Sequence, residues 1–280
     1  MNSHFPWGDL AVNLGVSIVV VAVFIAAIMA TAAAIKNHSI IDIFWGPGFV
    51  VVAVVTYLMS GGAIFNLEGG DDTRRLVVLA LTAAWGLRLG LYIGGRNLGH
   101  GQDPRYTRLL ASRKSGSLVA FLIKQIYGMQ GVLIVLVSLP VQFAMYESEP
   151  LGVIGWIGVA VWAIGFCFEA VGDWQLARFK ADPANEGKIM DRGLWAWTRH
   201  PNYFGDSCVW VGLFLLALGH WAGFITVIAP IVMTKLLVSY SGKKLLEKGM
   251  RRKRGEAYER YIESTSGFFP LPPKRRATSA

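Results

Sequence analysis

Long uncharged runs separated by short charged stretches set the pattern of this chain. The first run, Leu10 to Ile35, carries no charged residue. Further apolar runs follow at about Ile40 to Ala63, Leu76 to Gly95, Leu122 to Tyr146 and Leu151 to Val171. The last begins near Asn202, reaches Ser241, and is uncharged from Ser207 to Thr234. Forty residues of helix would be about 60 Å long, twice a hydrocarbon core of about 30 Å. Gly219-His220-Trp221-Ala222-Gly223 sits in the middle of that run and suits an interfacial turn, which splits it into two spans. The pattern predicts an all-α integral membrane protein with seven transmembrane helices in one membrane domain. Four spans lie within residues 10–146 and three within 151–241.

Composition points the same way. Of 280 residues, 54% are hydrophobic and 16% charged, against about 25% charged in an ordinary soluble domain. The mean hydropathy is +0.45. A soluble enzyme, a disordered chain and a disulfide scaffold are thereby disfavoured. The first run is longer than a signal-peptide core, and Met1 to Asp9 has no Lys or Arg, so it reads as a retained helix. Cys167 and Cys208 both stand in apolar stretches, form no metal-ligand spacing and read as small buried hydrophobes.

Charge sets an orientation. The net charge is +9, from 27 Lys and Arg against 18 Asp and Glu. Eleven basic residues and four Glu fall between Lys243 and Arg276. Such a tail could contact nucleic acid. Directly after a hydrophobic run it reads instead as a cytoplasmic flank on anionic lipid, with no nucleic-acid partner. The third loop holds Arg96, Arg105, Arg108, Arg113 and Lys114. The fifth holds Arg178, Lys180, Lys188, Arg192 and Arg199. The fourth has only Glu147 and Glu149, and the sixth is uncharged. The second mixes Glu68, Asp71 and Asp72 with Arg74 and Arg75. Loops three and five share a side with the tail only if two spans separate Arg199 from Lys243. The positive-inside rule then puts the N-terminus outside and the basic tail, residues 243–280, in the cytoplasm.

Polar residues inside spans are expensive and mark candidate sites. Asp42 opens the second span, as an acid in a membrane cavity or as a helix N-cap beside an interfacial Trp45. Arg88 lies about 12 Å from the basic end of the third span, long for snorkelling, which points to a polar cavity. The third loop, Arg96-Asn97-Leu98-Gly99-His100-Gly101-Gln102-Asp103-Pro104-Arg105-Tyr106, suits anion binding or a topology determinant. Glu169 and Asp173 lie one helical turn apart on one face. They can hold ribose hydroxyls or an adenine amine, or pair with Arg178 and Lys180. Arg199, His200, Asn202, Tyr203 and Asp206 then place five hydrogen-bonding side chains within eight residues at a membrane entry.

Gly193-x-Trp195-x-x-x-Arg199-His200-Pro201-Asn202-Tyr203-x-Gly205-Asp206 resembles the C-terminal signature of the steroid 5α-reductase family, and the chain looks closest to uncharacterised bacterial members. Sterol C14/C24 reductases carry a related form. A related Arg-His-Pro-x-Tyr motif also occurs in isoprenylcysteine and phospholipid methyltransferases. The resemblance implies seven spans, an outside N-terminus and a nicotinamide cofactor in the cytoplasmic half of the C-terminal spans. By resemblance, Asp173 falls near the adenosine half and Lys180 at a phosphate-binding position. Asn202 and Asp206 fall near the nicotinamide, and Tyr258 corresponds to a tail residue that closes over the cofactor. Arg199 and Tyr203 complete the cofactor set. The N-terminal half departs from the family: the second span has no Gln-Glu pair, and Trp85 stands at the family's Tyr position. Asp42 and Arg88 are then the candidates on the substrate side. The expectation is an NADPH-dependent membrane oxidoreductase that saturates a carbon–carbon double bond in a lipid or steroid-like molecule. It would be multi-pass in a bacterial inner membrane, with no metal and no protein partner. The alternatives are a methyltransferase using S-adenosylmethionine, in which Glu247 would matter, and a non-catalytic lipid-binding protein.

Overall fold

A computed structural model describes residues 5–63, 67, 69–113, 115–240 and 242–274. The chain ends Met1 and Ala280, the loop charges Glu68 and Lys114, Ser241 and the tail residue Arg276 lie outside the described residues. The described chain is helical and has no strand. Five helices are long and apolar enough to cross a membrane: α1 (Trp7–Ala34), α3 (Asp72–Asn97), α5 (Leu118–Ala144), α6 (Val153–Ala181) and α8 (Trp221–Arg254). Two apolar helices are shorter, α2 (Trp45–Ser60) and α7 (Pro201–Leu216), each of 16 residues. The described residues also form two amphipathic helices, α4 (Pro104–Ala111) and α9 (Glu256–Ser264), and a one-turn helix at Leu194–Trp197.

The boundaries have local causes. The second apolar run starts as a 3-10 turn, His38–Asp42, because the Asn37 side chain caps Ser39 N, so α2 begins five residues later than the run does. Helix α6 continues ten residues past Val171. Asp173, Arg178 and Lys180 therefore stand on helix and not on loop. The expected break near Gly219 is present: α7 ends at Leu216, and the His220 ring accepts from Ala222 N to cap a 3-10 turn that opens α8. The tail helix breaks at Gly255, whose φ of +52° suits a residue without Cβ.

The chain forms two compact units. The first comprises residues 1–156 and 214–229, the second residues 157–213 and 230–280. Within the first, α2 packs on α3 at glycine. A Cβ on Gly86 would lie 2.6 Å from the Gly46 carbonyl oxygen, and one on Gly90 2.8 Å from Pro47. Small residues allow helix backbones this close in a membrane. Within the second unit, α6 and α7 pack the same way and antiparallel. A Cβ on Gly165 would lie 2.5 Å from the Gly205 carbonyl oxygen, and one on Gly212 2.6 Å from that of Gly158. Gly172 meets the Pro201 ring. These α6 glycines recur every seven residues, two helical turns, so they line one face of the helix.

Candidate functional site

The glycine seam of the second unit determines what its polar residues meet. Glu169 and Asp173 on α6 are each 3% exposed, and Asp206 on α7 is 8% exposed. Such acids are rare inside apolar helices unless they have hydrogen-bonding or charged partners. The Asn202 amide donates to Asp173 Oδ1 at 3.1 Å, and its own oxygen accepts from Tyr203 N at 3.1 Å. Gly205 lies against the Glu169 backbone, which gathers the three acids and Asn202 along one helix pair. The Tyr203 ring stacks on His200 with 5.2 Å between centroids and 2° between planes.

Beside this cluster the tail is tied down. Arg199 Nε donates to Glu247 Oε1 at 3.0 Å, and Nη1 donates to the carbonyls of Ile262 and Thr265 at 3.2 and 2.5 Å. His200 Nε2 is 3.1 Å from the same Glu247 oxygen. Burial lowers the His200 pKa, against a rise from Glu247. The Arg199 N–H donates to Ser266 O, the Thr198 hydroxyl to Phe268 O and the Leu271 N–H to Trp197 O. Tyr261 donates to Trp195 O at 2.5 Å, and the Trp195 indole donates to Gly172 O at 3.0 Å. Tyr258 is 4% exposed, and burial pushes it up to about 12, with Glu247 adding to the rise.

Of the expected cofactor residues, Asp173 and Asn202 meet directly. Arg199 is engaged with Glu247 and tail carbonyls. Tyr258 is buried in the tail, and Lys180 is exposed at the end of α6. A cavity of about 580 Å³ runs along the last turns of α8, lined by Lys244, Lys248, Arg251 and Arg252 around Glu247. A second, of about 330 Å³, has Trp174, Gln175, Arg178 and Arg192 on its wall.

In the first unit, Asp42 is held by two residues of the third loop. Tyr106 donates to its Oδ1 at 2.6 Å and Arg105 to its Oδ2 at 2.8 Å. Burial and then the Asp42 charge raise the Tyr106 pKa. The Arg88 guanidinium lies 5.9 Å from the Tyr92 ring centre. Sequence reasoning missed His38 and Tyr127, whose Nδ1 and hydroxyl meet at 2.9 Å. Burial lowers the His38 pKa. Tyr127 also lines an apolar groove of about 630 Å³ between α1 and α5, with Val21, Ile25, Gly131 and Val135 on its walls. Glu247 as the partner of both Arg199 and His200 was missed too. No spacing rule connects positions 47 and 48 residues apart.

These features define an all-helical membrane protein with a buried acid–amide cluster and a basic tail folded over its own helix ends. The chain belongs to the family described as protein of unknown function (DUF1295), which matches residues 28–265. It is similar to the uncharacterized protein C594.04c of Schizosaccharomyces pombe, with 24% identity over 265 residues, 84% of this chain and 73% of the yeast protein. No solved structure matches it.

Proposed function

We propose that the chain is an NADPH-dependent membrane oxidoreductase that saturates a carbon–carbon double bond in a lipid or steroid-like substrate. The reading counts α2 and α7 as spans, seven in all, with the N-terminus outside and the tail in the cytoplasm of a bacterial cell. The resemblance to steroid 5α-reductases supports it, and one observation carries it: the Asp173–Asn202 pair, set beside buried Glu169 and Asp206 on two close-packed helices. Carboxylates in such a place suit a ligand rich in hydroxyl and amine donors. The cations around Glu247 suit phosphates. The donor set therefore fits a phosphorylated dinucleotide.

In this reading Asp173 and Asp206 accept hydrogen bonds from the cofactor and Asn202 orients its amide end. Tyr203 supplies a flat face beside them. Lys180 and the α8 cations meet phosphate. Arg199 acts differently from the expectation, as the residue that holds the tail in place. NADPH, when bound, supplies the hydride. In the first unit the apolar groove takes the hydrocarbon part of the lipid. Asp42, with the Tyr106 hydroxyl held against it, carries an exchangeable proton, and Arg88 faces a polar substrate group.

Calorimetric titration of the detergent-purified protein with NADPH, NADH and S-adenosylmethionine tests the reading. NADPH is expected to bind in preference to the others. Losing one charge-assisted hydrogen bond costs about 1.5–3 kcal/mol, so Asn202→Ala or Asp206→Ala should weaken it about tenfold or more. Saturable S-adenosylmethionine binding with none of NADPH would replace the reductase by a methyltransferase. Binding of neither would leave a lipid-binding protein.

A further inference from the structure

The buried stripe of α1 changes character halfway along. Its buried positions are Leu10, Asn13, Ser17, Val21, Ile25, Ile28 and Ala32. The later ones are apolar, and Val21 and Ile25 line the groove described above. Asn13 and Ser17, one turn apart, are 0% exposed. The helices packed on this part of α1 answer with polar residues of their own. Ser138 and Gln142 on α5 and Thr56 on α2 are each 0% exposed, as are Tyr146, two residues past the end of α5, and Thr82 on α3, which packs on α2 and on the end of α5. The Asn13 amide donates to Gln142 Oε1 at 3.0 Å and to Thr56 Oγ1 at 3.3 Å, and the Gln142 amide donates to Ser138 Oγ at 3.0 Å.

These bonds leave the set incomplete. Asn13 Oδ1, Ser17 Oγ, Thr82 Oγ1 and Tyr146 Oη are buried with no hydrogen-bond partner among the described residues. Next to Tyr146, Glu147 Oε1 is in the same position. Interhelical polar side chains that act only as glue satisfy one another. Four unmet oxygens in one half of one bundle ask for a small partner that both donates and accepts.

We propose that the first unit holds a cluster of ordered internal water along this face, from Tyr146 to Ser17 and Ser138. Tyr146 and Ser138 are two helical turns apart, so the cluster is about 12 Å long. An aromatic lid closes the loop end. Phe5 stacks on Phe143 at 5.7 Å and on the His220 ring at 5.6 Å, and Trp7 is 6.2 Å from Trp221. The interior of the unit is thereby divided into a hydrated polar half and an apolar half that bears the groove. The proposal does not depend on the cofactor reading.

Radiolytic hydroxyl footprinting of the intact protein in detergent tests this directly. Bound water produces radicals in place and labels the side chains beside it, however buried. Tyr146 should be labelled rapidly, whereas Trp85 and Phe49, equally buried at 0% exposure, should stay unlabelled. In the paired variant Asn13→Leu with Gln142→Leu, Tyr146 labelling should fall several-fold while Trp85 stays protected, which also reports that the bundle is intact. Tyr146 as protected as Trp85 in the native protein would overturn the proposal. So would labelling that persists in the folded paired variant. A lipid oxygen in place of water would give an unlabelled Tyr146 and a co-purifying lipid, and it counts against the proposal as well.

Discussion

Replacing Arg199 by Leu should release the tail. The guanidinium is 8% exposed and makes a charge pair with Glu247 and two bonds to the carbonyls of Ile262 and Thr265. Leucine fills part of the volume and none of the bonding. It leaves Glu247, whose side chain is 14% exposed, with the His200 edge and the cations of α8 around it but without its bond to Arg199, and it strands two carbonyls. Losing the charge-assisted bond to Glu247 and leaving two carbonyls without their donor costs about 3–5 kcal/mol together. At about 1.4 kcal/mol per factor of ten, that raises the population of the detached tail by about 10²-fold to 4 × 10³-fold. Hydrogen exchange reads this locally. The amides of Leu271 and Lys274 donate to Trp197 O and Ser264 O, so a peptide covering 266–274 should exchange faster by that factor, up to the unprotected limit. Peptides from α3, in the other unit, should not change. Arg199→Lys should recover little, since an ammonium cannot present the planar fork that reaches carboxylate and carbonyls together. Unchanged exchange across 266–274 in Arg199→Leu would refute the reasoning and return Arg199 to a role in ligand binding.

Gly205→Leu should force α6 from α7, because even a Cβ there would sit 2.5 Å from Glu169 N and Gly165 O. A loss of about 1–3 kcal/mol in a thermal or denaturant assay is expected, together with weaker NADPH binding through the displaced Asp173–Asn202 pair. Glu147, 1% exposed in the loop after α5, is lifted by burial from 4.5 to about 7, against the pull of Arg74. The folded chain keeps a proton there that the unfolded chain has lost. Stability should therefore fall by about 3 kcal/mol as pH rises from below 4.5 to above 7, and Glu147→Gln should remove that part of the slope in paired denaturation curves. Tyr106→Phe deletes the 2.6 Å bond to Asp42 and should slow lipid reduction while leaving NADPH affinity unchanged. A parallel loss of both would place Tyr106 in the structure of the third loop and not in proton transfer.

Sequence alone determined the helical membrane class, since uncharged runs of about 20 residues leave a backbone few other ways to satisfy its hydrogen bonds in hydrocarbon. It also located the break near Gly219, from a run twice too long for one span, and drew attention to Asn202 and Asp206 among polar groups crowded at a membrane entry and to Asp173 one turn from Glu169. It placed α6 too short, because hydropathy ends where charge begins while the helix continues until its backbone finds another partner. The polar half of the α1 stripe was open to view in Asn13 and Ser17, but one helix does not say whether such residues face lipid, a partner or water. That depended on Gln142, 129 positions away. The same holds for Arg199, which local sequence groups with a ligand-binding motif and packing assigns to Glu247 and the tail. Periodicity is a property of one segment and survives in the sequence. Which segments meet is decided by close approach of backbones at glycine, as at Gly165 and Gly205, and only the assembled helices show it.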